Sequence, residues 1–371
     1  MLARFQLKDR TVRIMNREIP VTVGHQKRMF EGIPMVGGFL FDIATLSRID
    51  QLWSLIQQII FIILIFFFLY LENVPIERRT RFKIIWKYYD YILQFLFGGL
   101  LSAYSIFYFK SASGFLVGIF AVTLFVLMVI NESRRFHALQ YPIRYVLASL
   151  CLCSFLVYLF PIIFHWMNWF TFLLSISASF FLFLWVVDQI HKKISWKEQP
   201  KRRRAIWGGA VPVVFGLLYF LQVIPPVPLS CEELGIYHQV KRQGDTYELS
   251  YLRPAWKFWQ NDDRVFLYRP GDQVNVFTSV FAPSKLEHNI RIRWEKKDAE
   301  SRWQTTDIIP MAIKGGRDEG FRGVANKQSV SPGVWRVKIE TEEGRELQRL
   351  RFKIQNDPNP GEERQFRIKK S

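Results

Sequence analysis

Two patterns of apolar and polar positions divide the chain. From Trp53 to Ile224 apolar residues run on with few breaks, and from Leu234 they alternate with polar ones. Crossing about 30 Å of hydrocarbon takes roughly 20 apolar residues in a helix, because no water is present there to satisfy open backbone groups. Six stretches reach that length: Trp53 to Leu71, Tyr91 to Phe109, Ala112 to Ile130, Tyr145 to Phe164, Trp169 to Val187 and Ala205 to Ile224. None contains a Lys, Arg, Asp or Glu. Burying six such helices in a soluble core would need a far larger protein. The spacing therefore predicts an α-helical polytopic membrane bundle of six spans over 53–224. Tyr88, Tyr89, Trp166, Trp169, Trp185 and Trp207 fall at segment ends, where amphipathic rings favour the headgroup layer.

A weaker apolar run, residues 33–47, is interrupted by Asp42 and is short for a crossing. It predicts a seventh, short or re-entrant segment within a basic N-terminal stretch, 1–50.

Beyond the spans the period becomes two, the mark of strands with one buried face. Trp335, Val337 and Ile339 alternate with Arg336, Lys338 and Glu340, and Leu350, Phe352 and Ile354 alternate with Arg351 and Lys353. Gly344 between them supplies the positive φ of a hairpin turn. Ile290, Ile292 and Trp294 repeat the pattern, and Val274, Val276 and Val280 follow a Pro270-Gly271 turn. Further strands are expected at 246–252, 264–268, 302–309 and 319–326. Seven or eight short strands predict an all-β immunoglobulin-like sandwich, antiparallel, over 234–356. Pro225, Pro226 and Pro228 mark a stiff linker, 225–233, and 357–371 reads as a polar tail.

Charge adds orientation. The 371 residues carry a formal charge of +18. Fifteen basic residues lie in the first, third and fifth loops between spans, against one in the second and fourth. Lys and Arg beside a span resist translocation. The odd loops are thus expected in the cytoplasm and the β domain outside, in the periplasm of a bacterium. An N-terminus rich in Arg and Lys fits a cytoplasmic side if 33–47 crosses. The KRRR run at 201–204 reads as a stop against translocation, and no nucleic-acid partner is expected.

Chemistry is sparse. The sequence has no phosphate-cradling Gly-rich loop, no His-Glu-x-x-His, no Gly-x-Ser-x-Gly and no Cys-x-x-Cys, so no catalytic residue, metal site or cofactor is expected. Asp188 and His191, three apart on a helix, would serve as an acid–base pair or proton relay, although an interfacial cap is the plainer reading. Asp42, Gln57 and Gln94 are polar groups at membrane depth, suited to helix-to-helix hydrogen bonds or, less simply, to a transport path. Trp256, Phe258 and Trp259 would stack a sugar or meet lipid headgroups, and a buried cover over one end of the sandwich is the plainer reading. Arg317 and Arg322 flank a glycine-rich segment with the makings of an anion site, against a tight loop as the plainer use.

The strings IPPVPLSCEELGIYH, RPGDQVNVFTSVFAP, GGRDEGFRG and SPGVWRVKIETEEGREL, with RFKI closing the match, resemble a bacterial C-terminal β domain of unknown function. GGFLFDIATLSRID resembles the opening of the multi-span region that accompanies it in membrane-bound members. The resemblance covers about 224–354 and implies a bacterial inner-membrane protein, with no catalytic residue to carry over. Three functions remain in view: a non-enzymatic anchor whose β domain binds an envelope protein or glycan, a transporter or channel with that domain as a lid, and a membrane enzyme acting on a lipid-linked substrate.

Overall fold

In a computed structural model, residues 12–14, 17–19, 50–72, 83–111, 115–132, 140–193, 201–225, 227–253, 256–257, 259–284, 286–316 and 320–371 are described. The segment expected at 33–47, with Asp42, lies outside them, as do Phe258 and Arg317. Residues 1–46 form a unit of their own, in which strand β1 (Val12–Ile14) pairs antiparallel with β2 (Arg17–Ile19).

The apolar half forms six helices among the described residues: α1 (Leu52–Glu72), α2 (Lys83–Lys110), α3 (Phe115–Glu132), α4 (Gln140–Phe164), α5 (Trp169–Lys193) and α6 (Lys201–Phe220). Four contain stretches long and apolar enough to cross a membrane, namely Leu52–Glu72, Tyr88–Lys110, Ile143–Phe164 and Trp169–Lys192. The apolar helices Gly118–Ile130 and Ala205–Phe220 are shorter. Six full crossings were expected; four helices among the described residues have the length and composition of a crossing, which suggests a membrane protein.

Helix α1 shows why these faces belong in lipid. Its inward stripe of Leu55, Gln58, Ile62, Ile65 and Leu69 keeps helical spacing, and its outward face is as apolar, with Ile60 and Ile63 exposed. A water-soluble helix would turn charge outward. Helix α4 sits at the centre, packed on α1, α2, α5 and α6. Close approach there depends on a small residue: a Cβ on Gly208 would lie 2.0 Å from the fully buried Phe183 ring, and the Gly208 carbonyl accepts from Ser149 Oγ at 2.7 Å.

The β domain stacks two sheets. One has the order β10 (Phe321–Lys327), β7 (Val274–Phe281), β3 (Ser230–Tyr237); the other has β6 (Val265–Tyr268), β12 (Glu346–Asn356), β11 (Gly333–Thr341), β8 (Glu287–Lys297), β9 (Trp303–Lys314). Val274, Val276 and Val280 from the first meet Ile290, Ile292, Trp294, Trp335, Val337, Ile339, Leu350, Phe352 and Ile354 from the second in one core. These are the alternating positions of the sequence, so the sandwich follows from period two.

Three features differ from expectation. Edge strand β6 runs parallel to β12, so the sandwich is not wholly antiparallel. Strand β3 begins at Ser230, inside the expected linker, and a bulge between Cys231 and Glu233 breaks its alternation. The tail is not merely polar: β13 (Arg367–Lys370) joins β5 (Thr246–Tyr251) and β4 (Gln239–Gln243) in a third sheet, with Lys369 Nζ 2.8 Å from Glu233 Oε1. Tyr237, Leu249, Tyr251 and Phe277 form its small core.

The turn joining β11 and β12 docks on the helix ends. Arg345 donates to the carbonyls of Tyr219 (3.1 Å) and Ile224 (3.4 Å), and its guanidinium lies 3.4 Å over the Tyr219 ring. Tyr219 in turn stacks on Phe172 at 3.6 Å. Glu343 accepts from the Trp169 backbone N–H at 3.0 Å, and Asp50 accepts from Ser284 N–H at 3.0 Å. The start of α1, the start of α5 and the end of α6 thus face the sandwich. At the other end Arg144 joins Glu72 and Asp90, each at 2.6 Å, gathering the end of α1 with the starts of α2 and α4.

Candidate functional site

Far along β12 from this joint, two connections close a groove of about 480 Å³. One wall is the 357–365 segment leading from β12 to β13. Arg269 staples it, with Nε 2.6 Å from Asp357 Oδ2 and Nη2 donating to the carbonyls of Asn359 (2.9 Å) and Glu362 (2.8 Å). Arg364 donates from Nη2 to Asp272 at 2.9 Å and to the Leu267 carbonyl at 2.6 Å. The Asn359 N–H, then the two arginines, hold the Asp357 carboxyl below the ordinary carboxylate range. Each staple joins residues about ninety positions apart, which no local pattern announces.

The opposite wall is the loop between β5 and β6, curled by Arg253 Nη1 donating to the Lys257 (3.0 Å) and Gln260 (2.7 Å) carbonyls. This curl sets Trp256 and Trp259 edge-to-face, 5.8 Å between centroids, with Lys257 Nζ 4.9 Å over the Trp256 ring. They are 65% and 63% exposed. A buried cover for the sandwich was the plainer expectation, and the structure overturns it for these two residues.

Beneath the groove lies a buried acid–imidazole pair. Asp263 accepts the Leu252 N–H at 2.7 Å, and its other oxygen is 2.7 Å from His238 Nδ1. The Leu267 carbonyl can only accept, so His238 Nε2 carries a hydrogen and donates to it at 3.2 Å. The ring stacks on Phe266 at 4.0 Å and meets Phe366 at 5.3 Å, so one side chain ties loop, strand and tail together. Burial pushes the Asp263 carboxyl above its usual range, opposed by the His238 hydrogen bond. With both polar ends engaged and both groups buried, the pair braces the groove floor.

The remaining expected site residues are scattered. Arg322, on β10 in the other sheet, donates to the Asp245 carbonyl. Gln57 lies on the outward face of α1, whereas its neighbour Gln58 is buried and accepts from the Tyr158 hydroxyl. Gln94 is half-buried on α2. Asp188 pairs with Lys192 at 2.7 Å, a helix-end ion pair, with His191 half-buried one turn on. Among the described residues no group of three or more His, Cys, Asp or Glu could hold a metal ion.

Residues 287–354 match a family described as a protein of unknown function (DUF2914). No curated protein matches the chain. Among solved structures, similarity extends to an immunoglobulin-like protein from Pseudomonas aeruginosa at 10% identity, over 33% of this chain and 97% of that one, with a TM-score of 0.20. A beta-glucosidase from Listeria innocua aligns at 11% identity over 33% of this chain with a TM-score of 0.19, and one from Kluyveromyces marxianus at 10% over 38% with 0.17. The aligned part spans about a sixth of each glucosidase, 17% in both.

Proposed function

We propose that this is a bacterial envelope protein whose helices cross the inner membrane six times and whose clasped β domain, on the periplasmic side, receives an envelope partner at the groove between its β5–β6 loop and its tail. The observation that carries the reading is the separation of charge from sandwich. The end of α1 and the starts of α2 and α4, which flank the first and third loops, both basic, meet at Arg144, while the start of α1, the start of α5 and the end of α6 touch the sandwich at the opposite ends of their helices. Cation-rich loops stay cytoplasmic, which directs the sandwich outward.

Accessibility labelling tests the placement. Glu300 is exposed on the β8–β9 turn, Cys151 and Cys153 are buried, and the half-buried Cys231 is replaced by Ser in the labelled protein. Glu300→Cys is expected to react with a membrane-impermeant maleimide in spheroplasts without detergent. Labelling only after the membrane is opened would place the domain in the cytosol and end the proposal.

A further inference from the structure

Resting on that reading, we infer that the groove and the loop beside it form a carbohydrate site, with Trp256 and Trp259, exposed on the loop that supplies the lining residues Lys257 and Gln260, as stacking platforms and the polar lining bonding to hydroxyls. Two tryptophans in contact yet mostly in solvent forgo the burial that usually places this side chain. Sugar rings offer them C–H faces. The lining mixes donors and acceptors of both signs, with Lys257, Gln260, Glu363 and Gln365 around one concavity. A hydroxyl both donates and accepts, and so suits such a mixture, whereas a charged ligand would meet its own sign somewhere in it.

Two competing occupants fit less well. An extended peptide adding to the free edge of β6 would need the Leu267 carbonyl, which already accepts from Arg364 and His238. A lipid headgroup is out of reach. Val265, on the groove lining, is level with Lys353, eight residues along β12 from Arg345 at the helix ends. At about 3.3 Å per residue that is roughly 25 Å of strand.

The test uses the full-length protein in nanodiscs, with tetra-N-acetylchitotetraose, cellotetraose and maltotetraose as calorimetric probes. At least one is expected to bind, and Trp256→Ala and Trp259→Ala are each expected to weaken that binding at least about tenfold, as truncation of an aromatic anchor does. Trp256→Phe and Trp259→Phe should retain most of it, and Glu300→Ala should leave it unchanged. Unchanged melting of the variants separates lost contact from lost fold. Absence of binding to all three sugars at millimolar concentration, or equal binding by the Ala variants, overturns the inference. If cell crosslinking then still captured a protein through the groove, the partner would be a protein and the proposed function would stand. Cytosolic labelling of Glu300→Cys would remove both.

Discussion

Arg345 fastens the two halves with one side chain. Its guanidinium is nearly buried, shares two helix-end carbonyls and one aromatic face, and lies 3.6 Å from Glu343. Burial lowers its affinity for a proton without taking the charge away, so the partners must remain in place. Removing one side of a buried ionic contact typically costs about 3–5 kcal/mol, and the half-exposed Glu343 argues for the lower end. Arg345→Ala is therefore expected to open the joint, raising the rate of proteolysis within 221–230 at least about 30-fold when opening is pre-equilibrated. Arg345→Lys should recover part of the loss, since a point charge cannot serve both carbonyls and the ring. Equal cleavage rates in all three proteins would refute the clasp.

At the scale of elements, legibility followed periodicity. Strands β8, β11 and β12 were plain in the sequence because Ile290, Trp335 and Phe352 and their neighbours alternate cleanly over one core. Strand β4 has Val240 alone against the core and is otherwise polar, β3 carries a bulge, and β13 is four residues of mostly exposed chain, so hydrophobic pattern had little to report for them. Their evidence is in partners: Lys369 and Ser371 both reach Glu233, at 2.8 Å each. Deleting 357–371 is expected to free the β4–β5 hairpin and uncover His238. Hydrogen exchange at 246–251 should then speed markedly while the amides of β8 and β11 keep their protection. In the bundle, Gly208→Leu on α6 would force Phe183 of α5 from its fully buried position. A loss of at least about 1–3 kcal/mol is expected from such overpacking at a close helix crossing, where the added methylenes force side chains off their rotamers and shift the backbone. A thermal melt of the detergent-solubilised protein would show it, and an unchanged melt would mean the helices stand further apart.

For the molecule as a whole, the groove escaped sequence reasoning although the two tryptophans of the loop beside it were singled out. Aromatic residues cluster for burial more often than for display, and only the folded loop shows which of these two uses holds. The joint adds a dependence on acidity. His288 lines a cavity of about 30 Å³ between sandwich and helices, and its Nε2 meets no hydrogen-bond partner among the described residues. Burial holds its ring below the ordinary imidazole range, against the pull of Glu342 and Glu343. A depressed histidine stabilises the docked state fully above the ordinary imidazole pKa of about 6.5, and that contribution is lost as pH falls further, because the released state takes up the proton first. Protection of the Thr341 and Arg345 amides, which bond within the turn, measured as exchange relative to the intrinsic rate at each pH, is expected to fall between pH 7.5 and 5. In His288→Gln that protection should change little over the same interval, and an equal fall there would assign the response to another group.

The clasp also removes a degree of freedom. A domain tethered by a slack linker samples many heights above its membrane, but this one, held at Arg345, Glu343 and Asp50, turns only as the whole bundle turns. In the proposed arrangement the groove would sweep a plane at fixed altitude, like a gauge set to one depth. Whatever it receives has to be presented at that level of the envelope, and lengthening or shortening β11 and β12 by a pair of residues would retune the protein to a different layer.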